Sequence, residues 1–142
     1  HTVTGRIRAL DESFIQLFTR SDLATQKLFA LIAAMAYDTL FFDFVYEVIR
    51  EKMILGTYEF SDSDVRVFFK DKQQQNEKVA GWTDATLVRL GRCYKTMLYE
   101  AGIIDKAKTA RKILRPILDP DLVRWLEQNN MGAYIKALAG VR

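Results

Sequence analysis

The chain has 142 residues, of which 49% are hydrophobic, 27% charged and 12% aromatic, enough for one domain with its own core or two small lobes sharing one. With only two prolines and seven glycines it is not a loop-rich or disordered chain, and its single cysteine, Cys93, excludes an internal disulfide framework and fits a reducing, cytoplasmic setting. Net charge is +3. The longest uninterrupted apolar run, residues 28–37, is half of the roughly 20 residues that a membrane span needs. Residues 1–20 carry Arg6, Arg8, Asp11 and Glu12, which no secretory signal would. The expectation is a soluble protein that makes no membrane contact.

Apolar positions at i, i+3, i+4 and i+7 mark helices. A first helix over about residues 6–19 places Phe14, Leu17 and Phe18 inward. Ser21 is the expected N-cap of a second, in which Leu28, Leu31, Ile32 and Met35 form one stripe. Phe41, Phe44, Val45 and Val48 repeat the pattern, with Asp43, Glu47, Arg50 and Glu51 opposite and Gly56 as the stop. A fourth helix starts at Ser61, with Asp64 three residues on in the manner of a capping box, and turns Val65, Phe68 and Phe69 inward. The polar stretch KDKQQQNEK, residues 70–78, reads as a loop.

Thr83 is the expected cap of a fifth helix that runs to Ala101, with Gly102 just past its end. Asp119 caps a sixth with Pro120 in its first turn, and a last helix covers about residues 131–139. Ile103, Ile104, Ile113 and Leu114 fall outside the helical period and are expected to pair as a small hairpin. The fold class is mainly α: a compact helical bundle with a winged-helix or helix-turn-helix-like C-terminal part. Residues 1–60 make a helical core and residues 61–142 the second part, or the two form one continuous domain.

Charge is distributed unevenly. Residues 1–60 hold 6 basic and 8 acidic side chains, whereas residues 83–115 hold 8 basic and 3 acidic ones, and the two remaining segments balance. A localised positive excess is the footprint of phosphate binding. On the fifth helix Leu87, Leu90, Tyr94, Met97, Leu98 and Ala101 cluster toward the core at 100° per residue. Arg89 and Arg92 lie near the opposite pole, with Lys95 on the flank and the small Thr86 near the N-terminus. Such a face suits a major groove, where arginine holds guanine edges or phosphates with paired hydrogen bonds. Lys106, Lys108, Arg111, Lys112 and Arg115 follow as five cations within ten residues, with no acid inside the tract. The order helix, turn, capped helix, basic hairpin is that of a winged helix-turn-helix, in which the wing straddles the backbone. The alternative reading of these lysines and arginines is a solvated helix face.

Catalytic signatures are lacking: His1 is the only histidine, and the chain has no cysteine pair, glycine-rich phosphate loop or Ser–His–Asp set. The acidic pairs Asp62/Asp64 and Asp119/Asp121 sit at helix starts, where capping explains them. No cofactor or metal is implied. Phe14, Phe18, Phe29, Phe41, Phe42 and Phe44 read as core, Trp82 and Trp125 as packing anchors, and Cys93 as a packing residue at the edge of the buried stripe.

Taken together, FFDFVYEVIREKMILG (41–56), SDSDVRVFFKDK (61–72), VAGWTDATLVRLGRCYKTMLYEAGIID (79–105) and ILDPDLVRWLEQ (118–128) resemble the BrxA family, a component of bacterial BREX phage-defence systems. The resemblance spans about residues 6–139. It implies an all-helical, non-enzymatic protein likened to NusB-type bundles, which binds double-stranded DNA alongside other BREX proteins. Family members extend further at the N-terminus, so this chain resembles a C-terminal fragment. The helix-turn-helix-like part of the pattern falls on residues 61–105. Two other functions fit the same residues: an assembly module whose basic face meets an acidic partner, and an RNA binder.

Overall fold

The computed structural model describes residues 11–106 and 111–142. Helix α1 spans Asp11–Arg20, so the part of the expected first helix before residue 11 lies outside the described residues. Phe14 stands edge-on to Phe29 at 5.0 Å and to Trp125 at 5.5 Å between ring centroids. Ser21 does not cap the next helix. Its hydroxyl donates to the Leu17 carbonyl at 2.7 Å and closes α1, while the Asp22 carboxylate accepts from Thr25 N–H at 2.8 Å and caps α2, Leu23–Tyr37. A charged acceptor beside the positive end of a helix outcompetes a hydroxyl. That same bond to Thr25 holds the Asp22 carboxyl below its ordinary range.

Asp38 both ends α2 and starts the next helix. Its N–H donates to the Ala34 carbonyl at 2.9 Å, and its carboxylate accepts from Leu40 and Phe41 N–H at 3.0 and 3.2 Å. The axis turns there by 113°. Helix α3, Thr39–Phe44, widens into a π-helical segment at Val45–Ile49 and narrows again into α4, Arg50–Leu55, which Gly56 closes with φ of 78°. Among the described residues no single helix is long and apolar enough to cross a membrane, and the bent pair that together has the length supplies the buried Phe29, Ile32, Phe41, Phe44 and Ile49.

Helix α5, Asp62–Gln75, begins as expected, with Ser61 N–H donating to the Asp64 carboxylate at 2.9 Å. The expected loop over residues 70–78 is instead helical. Lys, Gln and Glu are good helix formers, so α5 continues to Gln75. Asn76 alone interrupts it and caps a four-residue helix α6, Glu77–Ala80, by accepting from Lys78 N–H at 2.9 Å. Residues 81–83 then lead into α7, Asp84–Glu100, capped by Thr83 and followed by Gly102 at φ of 80°.

The expected hairpin forms, with Ile104 bridging Ile113 and Leu114 N–H donating to the Ile103 carbonyl at 2.6 Å. A third segment joins it. Strand β1, Glu59–Phe60, pairs antiparallel with β2, Arg111–Lys112, in the register Glu59 to Lys112 and Phe60 to Arg111. The 111–113 segment thus lies between the residues before α5 and the residues after α7. Helix α8, Pro120–Gln128, is capped by Asp119, and α9, Gly132–Ala139, completes a mostly helical chain.

One continuous set of buried side chains, from Leu17 to Leu138, draws on both halves of the sequence. At its centre the Tyr94 ring sits 4.8 Å from Phe41, 5.6 Å from Phe44 and 5.8 Å from Phe69. Burial pushes the Tyr94 hydroxyl far above the ordinary tyrosine value, and the nearby Asp38 carboxylate adds to the shift without reaching hydrogen-bond geometry. That phenol stays protonated and structural.

Candidate nucleic-acid interface

The outer face of α7 carries the first group of nominated residues. Thr86 is half-buried and committed to the cap, its N–H donating to Thr83 Oγ1 at 3.2 Å and its hydroxyl 3.1 Å from the same atom. Arg89 and Arg92 stand in solvent with no carboxylate within ion-pair distance among the described residues. Cys93 is exposed beside them rather than packed, because Tyr94, one residue on, takes the core position and the helix turns Cys93 outward.

Lys95 and Arg111 are held differently. Lys95 Nζ lies 2.8 Å and Arg111 Nη1 3.1 Å from one oxygen of Asp62, the first residue of α5. Their side chains are only 19% and 15% exposed. The hydrogen bond from Lys95 pulls the Asp62 carboxyl below its ordinary range; partial burial opposes this, and the two positive charges add to the lowering. The Arg111 guanidinium also lies 6.0 Å above the Phe60 ring. The basic tract contains no acid of its own, but Asp62 offsets it from outside and ties α5, α7 and β2 together.

The remaining cations line the sheet side. Lys112 is exposed, and its backbone N–H donates to the Asp105 carboxylate at 3.1 Å. Lys106 is exposed, and Arg115 is exposed with its guanidinium 5.7 Å above the Tyr58 ring. Such contacts fix where an arginine points while leaving its fork of donors in solvent. Lys108 lies outside the described residues. Arg89 and Arg92 therefore share α7 with Lys95, which Asp62 links to Arg111 and hence to the strand carrying Lys112.

Sequence reasoning missed two features. Asp62 passed as a helix-start acid, although it is 52% exposed at the side chain and grips two cations. Arg66 and Lys70 were passed over too, yet with Asp62 they form an i, i+4, i+8 row on α5, which is the signal that places them on one face. Among the described residues no three histidine, cysteine or acidic side chains converge to hold a metal ion.

A BrxA family profile matches residues 1–130. The BREX protein BrxA of Bacillus cereus (strain H3081.97) is 37% identical over 139 residues, which make up 98% of this chain and 70% of that protein. The chain belongs to the BrxA family.

Proposed function

We propose that this chain is a non-enzymatic, double-stranded DNA-binding component of a BREX phage-defence system, acting in the bacterial cytoplasm with other BREX proteins. The observation that carries the reading is the set of solvent-facing cations on α7 and the adjoining strands: Arg89, Arg92, Lys106, Lys112 and Arg115. Their charge is available to a polyanion, whereas that of Lys95 and Arg111 is partly neutralised by Asp62. The strand arrangement supports a winged-helix reading, because β1 precedes α5, α7 follows, and residues 111–113 pair both with β1 and with Ile104. In that reading α7 meets the duplex, the hairpin is the wing, and residues 61–142 work on a NusB-like frame whose core they share.

Salt dependence tests it. A labelled duplex is titrated at several ionic strengths with the parent chain and with a triple variant, Arg89→Glu, Arg92→Glu and Lys112→Glu. These three side chains are exposed and outside the core, so the fold is expected to persist. Arg111 is avoided, because it braces the sheet against Phe60 and Asp62. The parent should bind with an affinity that falls steeply with salt, and the variant should lose at least about tenfold, with the slope shallower by about one per lost phosphate contact. A folded triple variant that binds as tightly as the parent would sink the assignment.

A further inference from the structure

The strongest unassigned feature is the seam between α5 and α7. Lys95, near the end of α7, reaches Asp62 at the start of α5, so the two helices run back along one another. Helices packed side by side normally close their seam at organic-crystal density. This one stays open as a groove of about 610 Å³. The helices do meet at Gly91, where a Cβ would come to 3.0 Å from Val65 Cγ1, so glycine keeps the floor of the groove clear of a side chain.

The groove has two kinds of wall. Its apolar lining comes from Val65, Phe69, Leu87 and Val88, with Val88 left 55% exposed. Its rim carries Arg66 and Lys70 from α5 and Arg92 and Lys95 from α7, against the acids Asp62 and Asp84. Asp62 is already engaged by Lys95 and Arg111, which leaves the rim cationic. Arg66, Lys70 and Arg92 have no ion-pair partner among the described residues.

We infer that this groove is a docking site for an acidic amphipathic helix of a partner protein. Charge complementarity selects an acidic occupant. The apolar lining separates a peptide from a nucleic acid, because a phosphodiester backbone offers nothing to bury against Val65, Leu87 and Val88, whereas a helix lays leucines or aromatics along such a trough. From residue 62 to residue 73 the lining of α5 extends roughly 17 Å at about 1.5 Å per residue, room for about three turns of a partner helix. Arg92 belongs both to this rim and to the duplex-facing cations, so partner and DNA compete for it.

The test separates this proposal from the DNA reading by using residues that the latter does not employ. A displayed library of peptides of about 16 residues, long enough for the roughly 17 Å of seam, is selected on the folded 142-residue chain and counter-selected on Val88→Gln. Recovered peptides are expected to carry apolar residues at helical spacing with an excess of Asp and Glu. Made synthetically and followed by fluorescence anisotropy, they should bind Val88→Gln roughly fivefold or more weakly and Arg66→Glu/Lys70→Glu at least about tenfold more weakly. The neutral Val88→Gln change should leave duplex affinity as it was. Recovery of no peptide after counter-selection, of basic peptides, or of peptides that bind both variants like the parent overturns the docking site. A Val88→Gln chain that loses duplex and peptide together also overturns it, since the groove would then be part of the DNA surface.

Discussion

Asp62 is the residue on which the electrostatics of the basic face turn. One of its oxygens takes a hydrogen bond from Lys95 and another from Arg111, at 2.8 and 3.1 Å, so a single negative charge restrains two cations from two different elements. Replacing it with asparagine keeps the shape and removes the charge. Duplex DNA should then bind severalfold more tightly at moderate salt, because two cations and one unit of net charge become available to phosphate. The stability cost should stay under about 1 kcal/mol, since the Asp62 side chain is half exposed and solvent screens the pairs. The pH dependence has a definite sign. In the folded chain the carboxyl titrates below its ordinary 3.8, so its stabilisation is complete above that value and is lost as pH falls through the folded pKa. Thermal melts of parent and Asp62→Asn should differ at neutral pH and converge in acid. A gap that persists in strong acid, or a duplex affinity that falls on Asp62→Asn, would count against this role.

At the scale of elements, Lys72 fastens α5 to the π-helical stretch. Its ammonium lies 2.8 Å from Glu47 and 3.3 Å from Asp43, over the Phe68 ring at 5.5 Å, with the side chain only 11% exposed. Burial opposes its charge, yet the hydrogen bond that Lys72 donates to Glu47 and the nearby Asp43 carboxylate outweigh that and raise its pKa above the ordinary 10.5. Lys72→Met fills the same volume but leaves two carboxylates facing an apolar seam, and should cost about 1–3 kcal/mol. The contribution is complete below 10.5 and lost as pH rises through the folded value, so melts of parent and variant should draw together in strong alkali. No sequence period announces this tie, because Lys72 and Glu47 are 25 residues apart. Local signals were legible where the chemistry is local: the Ser61–Asp64 cap, the Thr83 and Asp119 caps and the Gly56 and Gly102 stops all follow from neighbours within four residues. Lys70–Gln75 was misread because polarity suggests a loop while the intrinsic propensity of Lys and Gln favours continued helix. β1 was invisible because a two-residue strand has no periodicity, and only its distant partner, Arg111–Lys112, defines it. The nominated cations stand close together in the sequence, whereas the pairing of Lys95 and Arg111 with Asp62 shows only in three dimensions.

The described residues share one apolar core, and α7, which carries the nominated Arg89 and Arg92, packs on it. Phe41 and Phe44 of the first half pack directly on Tyr94 of α7, the helix that carries Arg89 and Arg92, and Phe44 also meets Phe60 and Phe68. At the other end Trp125 of α8 meets Phe14 and Phe29, and its indole N–H donates to Ser13 at 3.2 Å across 112 residues of sequence. Cutting the chain between residues 60 and 61 therefore strips the α7 core face of Phe41 and Phe44 and bares Trp125 and Tyr94 to water. Losing several buried aromatics at about 2–3 kcal/mol each is comparable to the roughly 5–15 kcal/mol that holds a small domain together. The intact chain should melt in one transition seen alike by far-ultraviolet and near-ultraviolet circular dichroism, and a fragment of residues 61–142 alone should lack the near-ultraviolet signal of fixed aromatics. The same fragment keeps every nominated cation, so any duplex binding it shows should be weak and insensitive to reversal of Arg89 and Arg92, as charge on an unfolded chain is. A fragment that melts cooperatively and binds DNA like the parent would show that the second half builds its surface without the first.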